Sequence, residues 1–413
     1  MLLALLTACT PPCADHTDAA PHSVTLSWDA HTAQGSAAVS FSLDGEDIAQ
    51  PAGAQDGGWL ATIADLPPLH TVAYSLWEGE QVICTGAVQT TNLPNLPTWT
   101  TTGSPSWSRL LGVSMGTAPA IMVLDGEGRY RWHHRDPDGR GLLDAVPTEQ
   151  GLRYNTLDPD RIEDLGAVID LSDDGEITAE RPAPGMHHNF ADLPGGGFAY
   201  LSVDVRDWTD PATGQAEPVV GDAIWEVGAD GLRTLVYSTW DHLDPAPHGH
   251  WDSDFYAQGR DWTHGNGLSY DPERDSYLLA LANLDTIVEV DRQTGAPLLL
   301  IEPSAWDLDY AAPHAPTWVG PDRLLLLSYA EGAIGAVEYA VDADAQRLAV
   351  VWSRTRSEAL LPFLGHARRL ANGNTLVNYG AGGIVEEVTP DGAVIWELRA
   401  GFGSWLGATV PLE

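Results

Sequence analysis

Asp261-Trp262-Thr263-His264-Gly265-Asn266 opens a pattern that recurs through the second half of the chain. A histidine heads an extended run, a turn follows, and two or three short apolar runs come after it. The same opening stands at His188, His314 and His366. Each is followed by turn chemistry and a strand-like segment: Leu193-Pro194-Gly195-Gly196-Gly197 before Phe198-Ala199-Tyr200-Leu201, Asp271-Pro272-Glu273-Arg274-Asp275 before Tyr277-Leu278-Leu279, Pro321-Asp322-Arg323 before Leu324, and Asn372-Gly373-Asn374 before Thr375-Leu376-Val377. The next runs also match, as in Trp225-Glu226-Val227, Val288-Glu289-Val290, Val337-Glu338-Tyr339 and Val385-Glu386-Glu387. Repeats of roughly 40–50 residues built only from short strands predict a β-propeller. Ala120-Ile121-Met122-Val123-Leu124 and Ala167-Val168-Ile169-Asp170-Leu171, each followed by an acidic glycine turn, add two weaker units to the four clear ones, so six blades are expected. Innermost strands of a propeller line one axial channel. Residues at one repeat position therefore converge although they lie far apart in sequence.

Ahead of the repeats lies a different pattern. Ser23 to Trp28, Ala38 to Leu43, Trp59 to Ile63 and Thr71 to Trp77 alternate with period two, separated by Asp44-Gly45, Asp56-Gly57 and Glu78-Gly79. Short strands at this spacing predict a small β-sandwich of the immunoglobulin or fibronectin type over residues 21–92. It carries no cluster of titratable residues. Leu93-Pro94-Asn95-Leu96-Pro97 reads as a stiff linker, and the propeller occupies 99–413. The expected fold class is all-β. Val203 to Gly221 and Trp240 to Gly259, rich in Asp, Pro, Thr and Gly, read as long loops at a rim.

Composition narrows the function. The chain has 413 residues, with 58 Asp+Glu against 20 Lys+Arg and a formal net charge of −38. That balance repels phosphate backbones and anionic membranes, so nucleic acid is excluded as a partner. At the N-terminus, Met1 to Cys9 is a short apolar run ending in Leu6-Thr7-Ala8-Cys9. It is too short to span a bilayer and lacks a positive start. It resembles the lipobox of bacterial lipoproteins, which implies cleavage before Cys9 and a lipid anchor on its thiol; residues 1–20 then form signal and linker. The other reading is an ordinary apolar terminus. With Cys9 lipidated, Cys13 and Cys84 remain, an even pair that an exported protein would join as a disulfide.

Several segments together resemble a known family. His187-His188-Asn189-Phe190, Asp261 to Asn266, Leu284-Asp285-Thr286-Ile287 leading into Asp291-Arg292-Gln293-Thr294-Gly295, Ala367-Arg368-Arg369-Leu370 with Asn372-Gly373-Asn374, and Thr389-Pro390-Asp391-Gly392 with Ile395-Trp396-Glu397 are similar to bacterial arylsulfotransferases of the type that needs no adenylyl-sulfate donor. The resemblance covers roughly residues 100–400 and implies a six-bladed propeller with a small N-terminal β-domain in the cell envelope, on the periplasmic side or the outer surface. It implies aryl sulfate and phenol as small-molecule substrates, no metal and no other cofactor. By matching segments, the attacking histidine falls on His314 and the sulfate-holding histidines on His188 and His264, with Asn266 beside them. The family's arginine falls on Ala282, which offers an oxyanion nothing. Arg260, Arg368 and Arg369, in neighbouring segments, are the candidates to substitute, and His366 is a further candidate source of charge.

These residue types suit the chemistry. Sulfuryl transfer resembles phosphoryl transfer in its loose transition state, so catalysis is positioning and electrostatic stabilisation. A neutral imidazole attacks, protonated neighbours hold the oxygens, and another histidine moves the phenol's proton, with ping-pong kinetics. Other readings stand beside this one. Any single strand-heading histidine, His366 above all, is also explained by a structural hydrogen bond. His187 should point to the opposite face from His188 and pack. Trp262 is either an aryl-stacking residue or core. His242, His248, His250, Asp252 and Asp254 form either a Zn²⁺ or Ca²⁺ loop or a solvated rim, and their spacing matches no standard ligand pattern. An inactive relative that binds an anionic or aromatic ligand, and a propeller used for protein contacts, are the two alternatives to an enzyme.

Overall fold

Period-two burial organises the first part of the chain. In Val24–Asp29 and Ala37–Leu43 the side chains alternate between core and surface, as a sheet with one dry face requires. The structure is a computed structural model and describes residues 14, 16–30, 36–43, 46–55, 57–92, 96–116, 119–157, 166–173, 175–245, 255–330, 333–356, 358, 363–401 and 404–412. The chain divides into two compact units: residues 1–96 with 123–125 and 129–133, and residues 97–122, 126–128 and 134–413. The smaller unit is a β-sandwich. One sheet runs His16–Ala19, Val24–Asp29, Gly58–Ile63, Gly53–Gln55, and the other Glu46–Pro51, Ala37–Leu43, Thr71–Glu78, Gln81–Gln89. Val24, Leu26 and Ile63 from the first sheet share one core with Val39, Val72 and Leu76 from the second. Cys84 lies half-buried against that core; Cys9 and Cys13 fall outside the described residues.

The remaining six sheets are antiparallel and form the blades of a propeller. Blade 2 runs outward through Gly141–Thr148, Gly151–Leu157, Gly166–Ser172 and Ile177–Pro182. Blade 3 has Met186–Asp192, Phe198–Thr209, Ala216–Val227 and Arg233–Ser238. Blade 4 has Gly265–Asp271, Ser276–Leu281, Thr286–Asp291 and Pro297–Ile301, and blade 5 has His314–Gly320, Arg323–Ala330, Ala333–Asp342 and Arg347–Arg356. Blade 6 has His366–Arg369, Thr375–Asn378, Ile384–Val388 and Val394–Ala400, extended at its outer edge by Trp99–Gly103. Blade 1 takes its innermost strand from the far end of the chain: Ser404–Leu412 pairs with Arg109–Gly116, followed by Ala120–Asp125 and Tyr130–His134. Two unions thus join the chain ends, one at an inner edge and one at an outer edge. They leave the ring no open seam.

Apolar side chains fill the wedges between neighbouring blades. Leu201, Ile224, Leu279 and Val288 pack blade 3 on blade 4. Leu278, Ile287, Leu324 and Leu326 pack blade 4 on blade 5, and Leu325, Leu327, Val377 and Val388 pack blade 5 on blade 6. Inner strands of adjacent blades do not pair with each other, so polar clamps bridge them instead. Asn189 donates to the Leu268 carbonyl at 2.8 Å and accepts the Leu268 amide at 2.9 Å. Ser269 donates to Pro316 at 2.7 Å, and Asn378 to Gly407 at 2.6 Å. Half-buried arginine–glutamate pairs recur within and between the blades: Arg292 with Glu226, Arg274 with Glu289, Arg369 with Glu338, and Arg354 with Glu386.

One expectation needs correction, and one pair of alternatives is decided. Val203 to Gly221 is not a loop. Phe198–Thr209 and Ala216–Val227 pair in register along their whole length, Thr209 opposite Ala216, and the turn is confined to the residues between them. This ribbon leaves the body of blade 3 and exposes many of its outer side chains, so it lacks the apolar alternation that marks a half-buried strand. Trp262 is fully buried and packs on Trp240 with ring centroids 5.0 Å apart; it is core.

Candidate active site

The site is built where the blades' inner strands begin, and the backbone there departs from regular strand geometry. His188, His264 and Ala315 have φ of 53°, 48° and 46°, in the left-handed region that non-glycine residues seldom occupy. The ladder slips between Met186 and Phe190 in blade 3, between Gly265 and Gly267 in blade 4, and between His314 and Thr317 in blade 5. A bulge of this kind re-aims a side chain at a functional edge. Glycines permit the close approach. A Cβ on Gly265 would lie 2.7 Å from the Asp222 carboxyl carbon, and one on Gly267 would lie 2.4 Å from the Ala315 backbone nitrogen. Gly267 therefore lets blade 5 close on blade 4 and carries His314 inward.

The result is one imidazole cluster. The His188 ring lies 5.3 Å from that of His264 and 6.1 Å from that of His314, centroid to centroid. His187, expected on the opposite face, joins them: its Nδ1 is 2.9 Å from Nδ1 of His188. The left-handed His188 and the bulge break the alternation that would have separated the two. Two buried carboxylates support the cluster. Asp261 accepts from His264 Nδ1 at 2.5 Å and from the His264 amide at 3.1 Å. Asp222 faces His187 Nε2 at 2.9 Å, accepts the Gly265 amide at 2.6 Å, and accepts the Thr263 hydroxyl. Phe255 and Tyr256 wall the same side, with centroids 5.1 and 6.3 Å from His264.

The environments separate these imidazoles. Burial, reinforced by the neighbouring His187, His264 and His314, holds His188 well below its ordinary pKa. Burial with His264 and His366 nearby pushes His314 down to about 3, against a small opposing pull from the Gly365 backbone. His264 goes the other way. Burial opposes its charge, but the bond to Asp261 and the charges of Asp261 and Asp222 outweigh that and raise it. Asp222 is held below the usual carboxylate range; burial disfavours its charge, and its bonds to His187, Thr263 and Gly265 prevail. A neutral pair of imidazoles therefore sits beside one that favours its proton.

A cavity of about 650 Å³ runs down the axis from this cluster. His188, Asn266, His314, His366, Arg368 and Asp144 line it. Nδ1 of His314 and Oδ1 of Asn266 are buried with no hydrogen bond of ordinary geometry among the described residues. His366 Nε2 is 2.9 Å from the Thr409 carbonyl oxygen of the closing strand, and burial with Arg368 nearby lowers its pKa to about 4. Of the three arginines that sequence offered for the place of Ala282, Arg260 is paired to Glu217 and Arg369 to Glu338. Arg368 has no ion pair or hydrogen bond among the described residues, and it keeps water contact along the channel. Its nearest influence is Asp144, fully buried and raised by burial to about 6 against the pull of Arg368. Ala282 itself is buried, its amide bonded to the His264 carbonyl at 3.0 Å.

Sequence reading missed Asp222, Asp261, Asp144 and the role of His187. Asp261 had a local signal, three residues before His264. Asp222 had none, because it sits on the third strand of blade 3. The second candidate site, His242 to Asp254, falls mostly on residues outside those described; His242 stacks on Tyr237 at 4.8 Å. Among the described residues no set of three or more His, Cys, Asp or Glu has metal-holding geometry.

Comparison with known proteins bears on this site. A protein of unknown function from Bacteroides caccae is 15% identical with a TM-score of 0.45, over 74% of this chain and 99% of that one. A streptogramin B lyase is 12% identical with a TM-score of 0.44, over 75% and 94%. The β-propeller domain of Cps50 (Swd1) from Myceliophteria thermophila is 12% identical with a TM-score of 0.40, over 75% and 90%. No curated protein sequence matches. The sequence profile of the family described as Arylsulfotransferase (ASST) matches residues 108–313, the stretch that carries blades 2 to 4 and both His188 and His264. Over residues 108–313, then, the chain is an arylsulfotransferase (ASST) family sequence.

Proposed function

We propose that this protein transfers a sulfuryl group from an aryl sulfate to a phenol through a sulfohistidine at His314. The observation that carries the reading is the meeting of His188, His264 and His314 from three blades, with His188 and His314 lining one axial cavity and His264 packed against His188. A nitrogen lone pair of His314 attacks sulfur, the bond from sulfur to the aryl oxygen breaks, and the phenolate takes a proton from a neighbouring imidazole. An accepting phenol then gives up its proton, attacks the same sulfur and releases the histidine. His314 suits the attack because it stays neutral far below pH 7. His264, with its raised pKa, supplies positive charge for the sulfate oxygens, and Asn266 offers an amide. Charge placed in advance where oxygens gather it is worth more in a buried site than in water.

The test is turnover of a chromogenic aryl sulfate with a phenol, together with intact-mass detection of the sulfuryl-enzyme. No turnover and no mass increment would leave the second reading, an inactive ligand-binding relative, which Ala282 favours. Arg368 is assigned to the substrate anion because its guanidinium has no carboxylate partner in a chain of net charge −38. Arg368→Ala is expected to raise KM for the sulfate donor by about tenfold or more with a smaller change in kcat, the scale of one lost charge-assisted bond. An unchanged KM removes Arg368 from the site. The same reading puts the protein in the cell envelope, anchored through Cys9, on the strength of Leu6-Thr7-Ala8-Cys9. Radiolabelled fatty acid should enter the wild type and not Cys9→Ser; label in neither rejects the anchor.

A further inference from the structure

We propose that Asp222, His187 and His188 form a proton relay through which His188 acts as the general acid and base of sulfuryl transfer. The proposal rests on the sulfotransferase reading and adds to it a division of labour among the histidines. Its basis is geometric. His187 Nε2 is 2.9 Å from Asp222 Oδ1, and His187 Nδ1 is 2.9 Å from His188 Nδ1. His187 and Asp222 are shielded, at 3% and 1% exposure, while His188 is half-buried and faces the cavity. The other Asp222 oxygen is occupied by Thr263 and the Gly265 amide, so the carboxylate is fixed. The contact between the rings is nitrogen to nitrogen, and only one proton fits between them.

That single proton couples the outer nitrogens. When His187 carries both protons it donates to His188 Nδ1, and the second His188 nitrogen, Nε2, holds a proton. The departing phenolate takes that Nε2 proton, and the Nδ1 proton of His187 moves across to His188. His187 is left neutral, still facing Asp222 through Nε2. With an accepting phenol the sequence reverses: the phenol's proton goes to His188 Nε2, and the shared proton returns to His187. No other reactant is needed. The charged form of the relay sits on His187, next to the ionised Asp222, and never on His188. That matters because every other group facing His188, namely His187, His264 and His314, penalises a charge there. Asp261 is engaged with His264 and does not serve His188. Tyr256 lies against the His187 ring at 5.8 Å, and burial raises its hydroxyl well above its ordinary pKa, so it does not compete for the proton.

Two measurements test this. In protein labelled with ¹⁵N-histidine, a coupling across the hydrogen bond between the two Nδ1 atoms is expected. Its absence overturns the relay. In kinetics, His187→Gln should slow transfer from phenyl sulfate, whose leaving group needs a proton, on the order of 10²-fold, within the range for general acid–base catalysis. Nitrophenyl sulfate, whose leaving group needs little help, should lose less than about tenfold. Equal loss with both donors means that His187 only supports the fold and rejects the proposal. If His187→Gln does not fold, Asp222→Asn must give the same split between donors. A wild-type protein inert toward every aryl sulfate sinks the transferase reading instead, and the nitrogen coupling alone then decides whether His187 and His188 share a proton.

Discussion

His314→Ala is expected to lower aryl sulfate turnover by roughly 10⁴-fold or more, the scale on which removing a covalent nucleophile acts, and to erase the sulfuryl-enzyme from the mass spectrum. The size of the effect follows from position. His314 heads the inner strand of blade 5 and lines the cavity. Its neighbour His188 has its ring 6.1 Å away, and both His188 and His264 are committed to a partner: His188 to His187 and His264 to Asp261. Neither can move to sulfur without breaking a buried bond. His314 Nδ1 is buried with no hydrogen bond of ordinary geometry among the described residues, so that nitrogen is not committed to a partner. Far-UV circular dichroism should not change, because a side chain at the head of an inner strand carries none of the blade's ladder hydrogen bonds. A variant that kept both its turnover and its mass increment would move the nucleophile elsewhere, and His188 would be next to examine.

The blades were legible because their signals are local. Turn residues such as Asn372-Gly373-Asn374 and alternating runs such as Thr375 to Val377 act over a few positions, and the repeat multiplies them. The closing strand was not legible. Ser404–Leu412 pairs with Arg109–Gly116 from the other end of the chain, and nothing in either segment names the other. The repeated glutamates Glu226, Glu289, Glu338 and Glu386 were visible as matching positions, but their arginines come from differing offsets and even from neighbouring blades. The imidazole cluster was readable to the extent that repeat register determines it, which covers His188, His264 and His314. Register failed at His187 because it assumes alternation, and the site is where alternation is broken by left-handed residues and bulges. The carboxylates behind the histidines were harder still. A buried aspartate looks like any other aspartate in a chain with 58 acidic residues.

Asp261→Asn should cost about 10³-fold at pH 7, the upper range for losing one electrostatic contributor at a reacting oxyanion, and should shift the pH window in a definite direction. In the intact protein, the bond and charge of Asp261, with Asp222, raise His264 above 6.5 against its burial. His264 therefore keeps its proton through neutrality, and activity that depends on this cation falls as pH rises through the raised value. The same group contributes to folding stability in full below pH 6.5, its unfolded value, and that contribution fades as pH climbs through the folded value. Burial lifts Asp261 as well, although its bond to His264 works against this, so acid protonates the aspartate early and supplies the lower limb of the profile; the two titrate as a pair. With asparagine in place the carboxylate charge is gone, and burial prevails. The His264 pKa drops below 6.5, and the active window moves toward acid. The variant should thus regain part of its activity near pH 5 relative to pH 7, while the wild type loses activity over the same interval. A pH profile that fell in height and kept its shape would separate the Asp261–His264 bond from the charge and assign it to positioning the ring alone.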